Sequence, residues 1–312
     1  MKTRRSFIRL SSSLVLSALL TGTEPIFAND LVKGHPDRKI YIFSKHLQWL
    51  DYKGMAVVAA QIGFDGIDLT VRPKGHVLPE RVIEDLPKAI KAIKKAGLNA
   101  DRMTTAITDP EDNLTIDILE TAAKQGIKNY RLGWFDYDPS LSIEENIAEF
   151  NLKLKKLAKL NKELGLTAAY QNHAGEMAGG PVWDMGLMLD GIDPNLVGVR
   201  YDIRHAKVEG GTAWPLGMKF IADKINSFDV KDFIWKKTEG TWRPFNVPVG
   251  EGMVDFKRYF QIIEELTIKG DFTLHLEYPI GGAEHGATTL SCSPHEVITA
   301  MKKDLKTLRS FL

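Results

Sequence analysis

The sequence is poor in features that mark several special classes of protein. Cys292 is the only cysteine among 312 residues, so no intrachain disulfide framework can form. The 41 Lys and Arg residues nearly balance the 40 Asp and Glu residues, which leaves no electrostatic footprint for nucleic acid or an anionic membrane surface. The 44% hydrophobic content excludes a disordered chain. No Pro-, Gly- or Ser-rich linker divides the later sequence, which favours one large domain.

The first 28 residues resemble an export signal. Arg4 and Arg5 precede Ser6-Phe7-Ile8, and a short apolar run follows over residues 14–20. The run is too short to span a bilayer but is typical of a cleaved signal. The paired arginines predict a twin-arginine signal, and a Sec signal is the alternative. With either signal we expect residues 29–312 to form a periplasmic protein without a stable membrane anchor.

Short apolar strands alternate with amphipathic helical segments over the rest of the chain. The predicted strands are Ile40–Phe43, Gly66–Val71, Asn99–Thr104, Asn129–Leu132, Thr167–Asn172, Gly198–Asp202, Ser227–Lys231 and Thr273–Glu277. The predicted helices are Pro79–Ala96, Asn113–Gln125, Ile143–Leu164, Trp183–Leu189, Pro215–Ala222, Val254–Leu266 and His295–Phe311. This α/β alternation predicts a single (β/α)8 TIM barrel. A doubly wound sheet is the alternative, but the first strand is not followed by a Gly-x-Gly-x-x-Gly turn.

Polar residues are concentrated at the carboxyl ends of the predicted strands, where TIM barrels form their active sites. They are Asp68, Arg72, His76, Arg131, Gln171, His173, Asp202, His205, Asp229, Lys231, His275 and Glu277. Buried carboxylates are costly unless they are paired or bound to a metal. Several acids at one rim therefore suggest a divalent cation with oxygen and imidazole ligands. Arg204 and Lys207 are interpreted as solvated.

The order of the strand-end motifs resembles the xylose-isomerase-like TIM barrel superfamily, and in particular its sugar phosphate isomerase/epimerase branch. The motifs are Gln171-Asn172-His173, Asp202-x-x-His205-Ala206, Val230-Lys231-Asp232, Gly250-Glu251-Gly252 and Glu277. The resemblance implies a divalent metal ion, Mn²⁺ or similar, held by Gln171, Asp202, Asp229 and Glu277. Gln171 stands where the family usually has Glu, and Asp229 stands where it usually has His.

The resemblance implies a metal-dependent sugar isomerase or epimerase that abstracts a proton next to a carbonyl. Glu277 would be the base, and His205 or Lys231 would donate to oxygen. The residues predicted to contact a small carbohydrate substrate are Arg72, His76, Arg131, His173, Trp235 and Glu251.

Gln171 cannot take up a proton, which keeps two alternatives open. One is a lyase or dehydratase that eliminates from a keto-sugar or 3-keto-glycoside with a single base. The other is an exported sugar-binding protein without catalysis. The sequence also leaves a homo-oligomer open.

Overall fold

The computed structural model describes residues 38–312, which contain a closed barrel of eight parallel strands. The barrel strands are β1 (Ile40–Phe43), β2 (Gly66–Thr70), β3 (Asn99–Thr104), β4 (Asn129–Arg131), β5 (Thr167–Gln171), β6 (Val197–Asp202), β7 (Ile225–Val230) and β10 (Phe272–Leu274). The barrel closes where β10 pairs with β1, with Ile40 opposite Phe272. The predicted TIM barrel is confirmed. Because β10 ends earlier than predicted, His275 and Glu277 lie in the loop after it.

Helices surround this barrel between successive strands. They are α1 (Tyr52–Ile62), α2 (Val82–Lys95), α3 (Asn113–Gln125), α4 (Ile143–Leu164), α5 (Val182–Met188), α6 (Ile203–Gly210), α7 (Trp214–Phe220), α8 (Phe256–Glu265) and α9 (Pro294–Arg309). Helices α3 and α4 have the predicted bounds, whereas α1 and α6 are absent from the predicted set. Helix α6 is hidden from periodicity because it is short and begins immediately after β6.

Local sequence signals set the bounds of the longest helix. Ser142 accepts a hydrogen bond from the backbone N–H of Glu145, and the Glu145 side chain accepts one from the backbone N–H of Ser142, which forms a capping box. At the other end Gly165 has φ of 67°, a left-handed conformation that favours glycine and ends the helix. Helix α4 therefore starts and stops where side-chain chemistry satisfies its terminal backbone groups.

The barrel interior contains a buried ionic layer, formed by Asp68, Thr104, Arg200 and Asp229. Arg200 Nη2 lies 2.5 Å from Asp68 Oδ2 and 2.5 Å from Asp229 Oδ1. Thr104 Oγ1 donates to Asp68 Oδ1 over 2.9 Å. Arg200 therefore joins strands β2, β6 and β7 across the interior, directly beneath the carboxyl-end rim.

A β-hairpin that the sequence analysis did not identify is inserted after β7. Its strands are β8 (Asp232–Thr238) and β9 (Thr241–Val247), which pair antiparallel with each other. Glu239 and Gly240 form the tight turn, and both have positive φ. The hairpin begins one residue after Lys231, so it leaves the barrel directly at the rim.

The predicted export signal, residues 1–28, lies outside the described residues. Within residues 38–312, no helix is both long enough and apolar enough to cross a membrane.

Asp304 of α9 provides a pH-dependent test of the packing. It is buried, and the hydroxyl of Tyr278 donates to Asp304 Oδ2 over 3.0 Å. Burial raises the pKa of Asp304 from 3.8 to about 7, and the Tyr278 hydrogen bond offsets only part of that rise. A raised folded-state pKa contributes stability below the unfolded value, and that contribution is lost as the pH rises through about 7.

We therefore expect Asp304→Asn to raise the free energy of unfolding at pH 8 by about 1–3 kcal/mol. The gain should nearly vanish at pH 3, which lies below the pKa of 3.8 in the unfolded chain, because the aspartate is then largely protonated in both the folded and the unfolded state. Urea unfolding followed by circular dichroism at the two pH values measures the difference. An equal gain at both pH values would contradict the assignment.

Candidate active site

A cavity of about 200 Å³ opens at the carboxyl ends of the barrel strands. It is lined by Phe43, Lys45, Arg72, Arg131, Trp134, Gln171, His173, Lys231, His275 and Glu277. These residues lie at or just beyond the ends of β1, β2, β4, β5, β7 and β10. The rim therefore gathers side chains that are far apart in sequence, as the barrel topology requires.

The ammonium group of Lys231 lies between two carboxylates. Lys231 Nζ is 3.1 Å from Asp202 Oδ2 and 2.8 Å from Glu277 Oε2. Only 3% of the Lys231 side chain is exposed. Burial by itself would lower the pKa of Lys231, but the charges of Asp202 and Glu277 outweigh burial and raise it. Lys231 is therefore a protonated, immobilised cation.

Glu277 is the carboxylate that reaches the cavity, and its side chain is 22% exposed. Its second oxygen, Oε1, accepts a 2.6 Å hydrogen bond from Lys45 Nζ. Burial would raise the pKa of Glu277, but Lys231 and Lys45 hold it well below its usual range. Burial lowers the pKa of Lys45, and Glu277 offsets part of that effect. The result is an ionised carboxylate beside an ammonium that releases its proton more readily than an exposed lysine.

Gln171 links the two fully buried acids of the rim. Its Nε2 donates to Asp202 Oδ2 over 3.0 Å and to Asp229 Oδ2 over 2.6 Å. Its Oε1 accepts from Arg131 Nη1 over 2.9 Å. The opposite amide orientation would set Oε1 against two carboxylates and Nε2 against a guanidinium, so charge fixes the observed one.

The predicted metal ligands come together, but their oxygens already have nitrogen partners. Asp202 Oδ1 accepts the backbone N–H of His205 over 3.2 Å, and Oδ2 contacts Lys231 and Gln171. Asp229 Oδ1 contacts Arg200, and Asp229 Oδ2 accepts from Gln171. Within residues 38–312, no three His, Cys, Asp or Glu residues are arranged to hold a metal ion. This donor set does not fit a divalent cation, which needs free oxygen lone pairs.

Arg72 and Arg131 bring positive charge to the cavity without a carboxylate partner. Within residues 38–312, neither guanidinium has an acidic side chain at ion-pairing distance. Arg131 is 3% exposed and stacks over the Trp134 ring at 4.2 Å, while Arg72 lies 5.4 Å from the Phe43 ring centroid. Burial, together with the nearby Arg72 and Arg200 charges, lowers the pKa of Arg131 to about 9. Both guanidinium groups can donate hydrogen bonds to an anionic group of a ligand.

Two adjacent imidazoles, tilted against each other, form another side of the site. The rings of His173 and His205 have centroids 4.0 Å apart. Burial lowers the pKa of His173 to about 4 and places that of His205 well below its usual value, so both are neutral at pH 7. Arg204 Nη1 donates to His205 Nδ1 over 3.0 Å, which puts the His205 proton on Nε2, 3.6 Å from Asp202 Oδ2.

Three predicted substrate contacts lie away from the cavity lining. The His76 side chain contacts the segment after β1, with Nε2 3.2 Å from the Leu47 carbonyl oxygen. Trp235 lies on the hairpin and is 40% exposed. Glu251 is exposed and pairs with Lys303 of α9. These three residues were predicted as site residues from their positions after strands. A position after a strand does not fix the direction in which the side chain points.

Other residues near the site are absent from the sequence prediction or lie in a different environment from the one predicted. Arg204, predicted to be solvated, is buried, and its Nε donates to Asn246 Oδ1 on the hairpin over 2.8 Å. Lys45 was missed although it follows β1 at the same rim as the other strand ends. Arg200 was missed although it lies two residues before Asp202, which puts both on one face of β6. His275, for which no role was assigned, has Nε2 3.1 Å from Asp229 Oδ1.

Comparison with known proteins identifies the family. The family model for the xylose isomerase-like TIM barrel matches residues 56–309, so the chain belongs to that family, as its motif order predicted. No curated protein sequence matches the chain.

Three similar solved structures share the fold. The 3-keto-D-glucoside 4-epimerase YcjR from E. coli is 14% identical with a TM-score of 0.62, covering 88% of this chain and 99% of that one. The probable 3-DHS dehydratase AsbF from Bacillus anthracis is 15% identical with a TM-score of 0.61, covering 87% and 98%. The IolI protein with a zinc atom is 16% identical with a TM-score of 0.65, covering 88% and 99%.

Proposed function

We propose that the protein is an enzyme that moves a proton at the carbon next to the carbonyl group of a keto-sugar or keto-glycoside. The single observation that carries this proposal is the position of Glu277. It is an ionised carboxylate at the cavity wall, and its two oxygens contact the ammonium groups of Lys45 and Lys231. Membership of a family whose similar structures include a sugar epimerase and a probable dehydratase supports the same reaction class.

The proposed chemistry begins with proton transfer to Glu277. As the C–H bond breaks, its electron pair forms the C=C bond of an enolate and the carbonyl π pair moves to oxygen. Lys231 and Lys45 supply the positive charge that stabilises the enolate oxygen. A proton returned to the opposite face of the same carbon gives the epimer, which requires a proton donor on the side of the cavity away from Glu277.

The competing outcome is elimination. If a β-substituent leaves with its bonding pair before a proton returns, the product is unsaturated and the enzyme is a lyase. Gln171 at the rim supports this alternative because it holds two carboxylates but cannot itself act as a second base. A protein that binds sugars without turnover is the third possibility, and the experiment below separates all three.

The decisive experiment is solvent deuterium exchange with D-fructose and methyl 3-keto-α-D-glucopyranoside in D₂O. Deuterium at the carbon beside the carbonyl together with a new epimer would support an epimerase. Release of methanol would support a lyase. The enzymatic proposal would be overturned in favour of a binding protein if calorimetry shows that these compounds or their uronate analogues bind, but none of them takes up deuterium.

The cavity charge further favours a substrate with an anionic group. Arg72 and Arg131 have no acidic partner within the described chain, whereas Lys45 and Lys231 share the charge of Glu277. We propose that a substrate carboxylate pairs with Arg72 and Arg131 while the carbonyl faces the lysines. D-Fructuronate and D-fructose, which differ only at one terminal carbon, provide a matched pair of probes.

We expect Arg72→Met to raise KM for D-fructuronate by about 10- to 100-fold, since a hydrogen bond to a charged group is lost. The KM for D-fructose should stay within about threefold because that sugar has no carboxylate. Steady-state kinetics with both sugars measures the contrast. Equal changes for the two sugars would assign Arg72 to packing instead of anion recognition.

Export remains part of the proposal, based on Arg4, Arg5 and the apolar run. Fusion of residues 1–40 to a reporter that is active only outside the cytoplasm tests it. Replacing both arginines by lysine should abolish transport of a prefolded reporter if the signal is of the twin-arginine type. Unchanged transport would favour a Sec signal, and no transport of the unmodified fusion would overturn the proposal.

A further inference from the structure

We propose that the Lys231 ammonium is a built-in cation that occupies the position a divalent metal takes in this fold family, so that the centre works without a metal ion. The contacts of Lys231 with Asp202 and Glu277 carry the inference. It does not depend on the proposed reaction, because it concerns what holds the acids together before any substrate binds.

The charge pattern supports this assignment. Three acids that the family motifs align with metal ligands, Asp202, Asp229 and Glu277, would repel one another without cations between them. Lys231 lies between Asp202 and Glu277, and Lys45 adds a second positive charge at Glu277. Arg200 pairs with Asp229 from below and also with Asp68. The side chains that depart from the family pattern are those that complete this arrangement.

Gln171 is the first departure. A glutamate at this position would add a fourth acid 3.0 Å or less from Asp202 and Asp229, which only a highly charged cation could compensate. The amide instead donates to both acids and accepts from Arg131. Its NH₂ group thus satisfies acid oxygens that would otherwise require a metal.

Asp229 is the second departure. Where the family usually presents a neutral imidazole to a metal, this chain has a carboxylate that contacts Arg200 Nε over 2.6 Å. Burial would raise the pKa of Asp229, but Arg200 and His275 reverse that effect and lower it. Asp229 is therefore a permanent anion tied to a permanent cation, and its Oδ2 points to Gln171 instead of an open position.

The test is metal binding by the wild-type protein and two lysine variants, titrated with Mn²⁺ and with Zn²⁺ by calorimetry. We expect the wild-type protein to bind neither ion with a micromolar Kd and its melting temperature to be unchanged by EDTA. Lys231→Met removes the ammonium from between two acids, so we expect one Mn²⁺ or Zn²⁺ to bind with a Kd at least tenfold lower than in the wild-type protein. Lys45→Met is the matched control, because Lys45 contacts Glu277 but not Asp202, and it should gain no comparable site.

One equivalent of metal bound tightly by the wild-type protein would overturn the proposal, as would a folded Lys231→Met variant that binds no more metal than wild type. If Lys231→Met is isolated folded only when Mn²⁺ is present, the ion has replaced the ammonium and the proposal is supported. If that variant does not fold under either condition, the wild-type titration decides. Failure to find a substrate would affect the proposed reaction and leave these titrations interpretable.

Discussion

Replacing Arg200 by methionine is expected to lower the free energy of unfolding by about 3–5 kcal/mol. Asp68 and Asp229 are both fully buried, and Arg200 lies 2.5 Å from each. Methionine fills similar space but leaves two carboxylates without a cation in the barrel interior. Breaking a buried ion pair from one side is costly because the remaining charges stay desolvated.

Chemical denaturation at pH 7 measures this loss, with Arg81→Met as the control. Arg81 also pairs with two acids, Glu84 and Asp85, but its side chain is 49% exposed. Exposed pairs contribute little to stability because water screens them, so the control should change little. Adding Asp68→Asn to Arg200→Met should recover part of the loss, since one uncompensated charge is removed. Similar losses in the control and in Arg200→Met would show that the ionic layer is not a main source of stability.

Glu277→Gln is expected to lower turnover of the keto compound that exchanges deuterium by about 10²–10⁴-fold, the range typical of a lost general base. The amide has nearly the same shape, so the change removes the proton acceptor with little change of volume. It also leaves Lys45 and Lys231 facing an uncharged group. We therefore expect a modest loss of stability alongside the large loss of turnover.

The rate of deuterium incorporation at saturating substrate provides the measurement, and Glu265→Gln serves as the matched control. Glu265 is an exposed glutamate at the end of α8 that pairs with Arg258, away from the cavity lining. Its replacement should leave the rate unchanged. If Glu277→Gln retains more than a tenth of the wild-type rate while binding substrate, another group must take the proton.

The barrel could be predicted because its strands are short apolar segments separated by clear turn and cap signals. Helix α4 shows this best, since Ser142, Glu145 and Gly165 mark both of its ends. The hairpin could not be predicted in the same way. Its strands β8 and β9 are largely exposed and rich in charged and polar residues, so they lack the apolar pattern that marked the barrel strands.

The composition of the rim could be predicted only in part. Barrel topology places strand ends together, so Gln171, Asp202 and Lys231 were expected to be neighbours. Which acid pairs with which cation depends on side-chain lengths and directions across the barrel. That is why the contacts of Lys231 with Asp202 and Glu277 emerge only from the structure.

Asp232 fastens the base of the hairpin next to Lys231. Its Oδ2 accepts backbone N–H groups from Gly250 and Gly252, and its Oδ1 accepts from Val254. The chain before the hairpin is thereby clamped to the chain after it. The outer part of the β-ribbon, residues 235–243, can accordingly be exchanged, lengthened or resurfaced, because the clamp fastens the two ends of the ribbon and its base keeps the contacts of Phe233 and Asn246 with Arg204. Directed evolution of substrate scope would do best to randomise this outer part and leave Asp232, Phe233 and Asn246 unchanged.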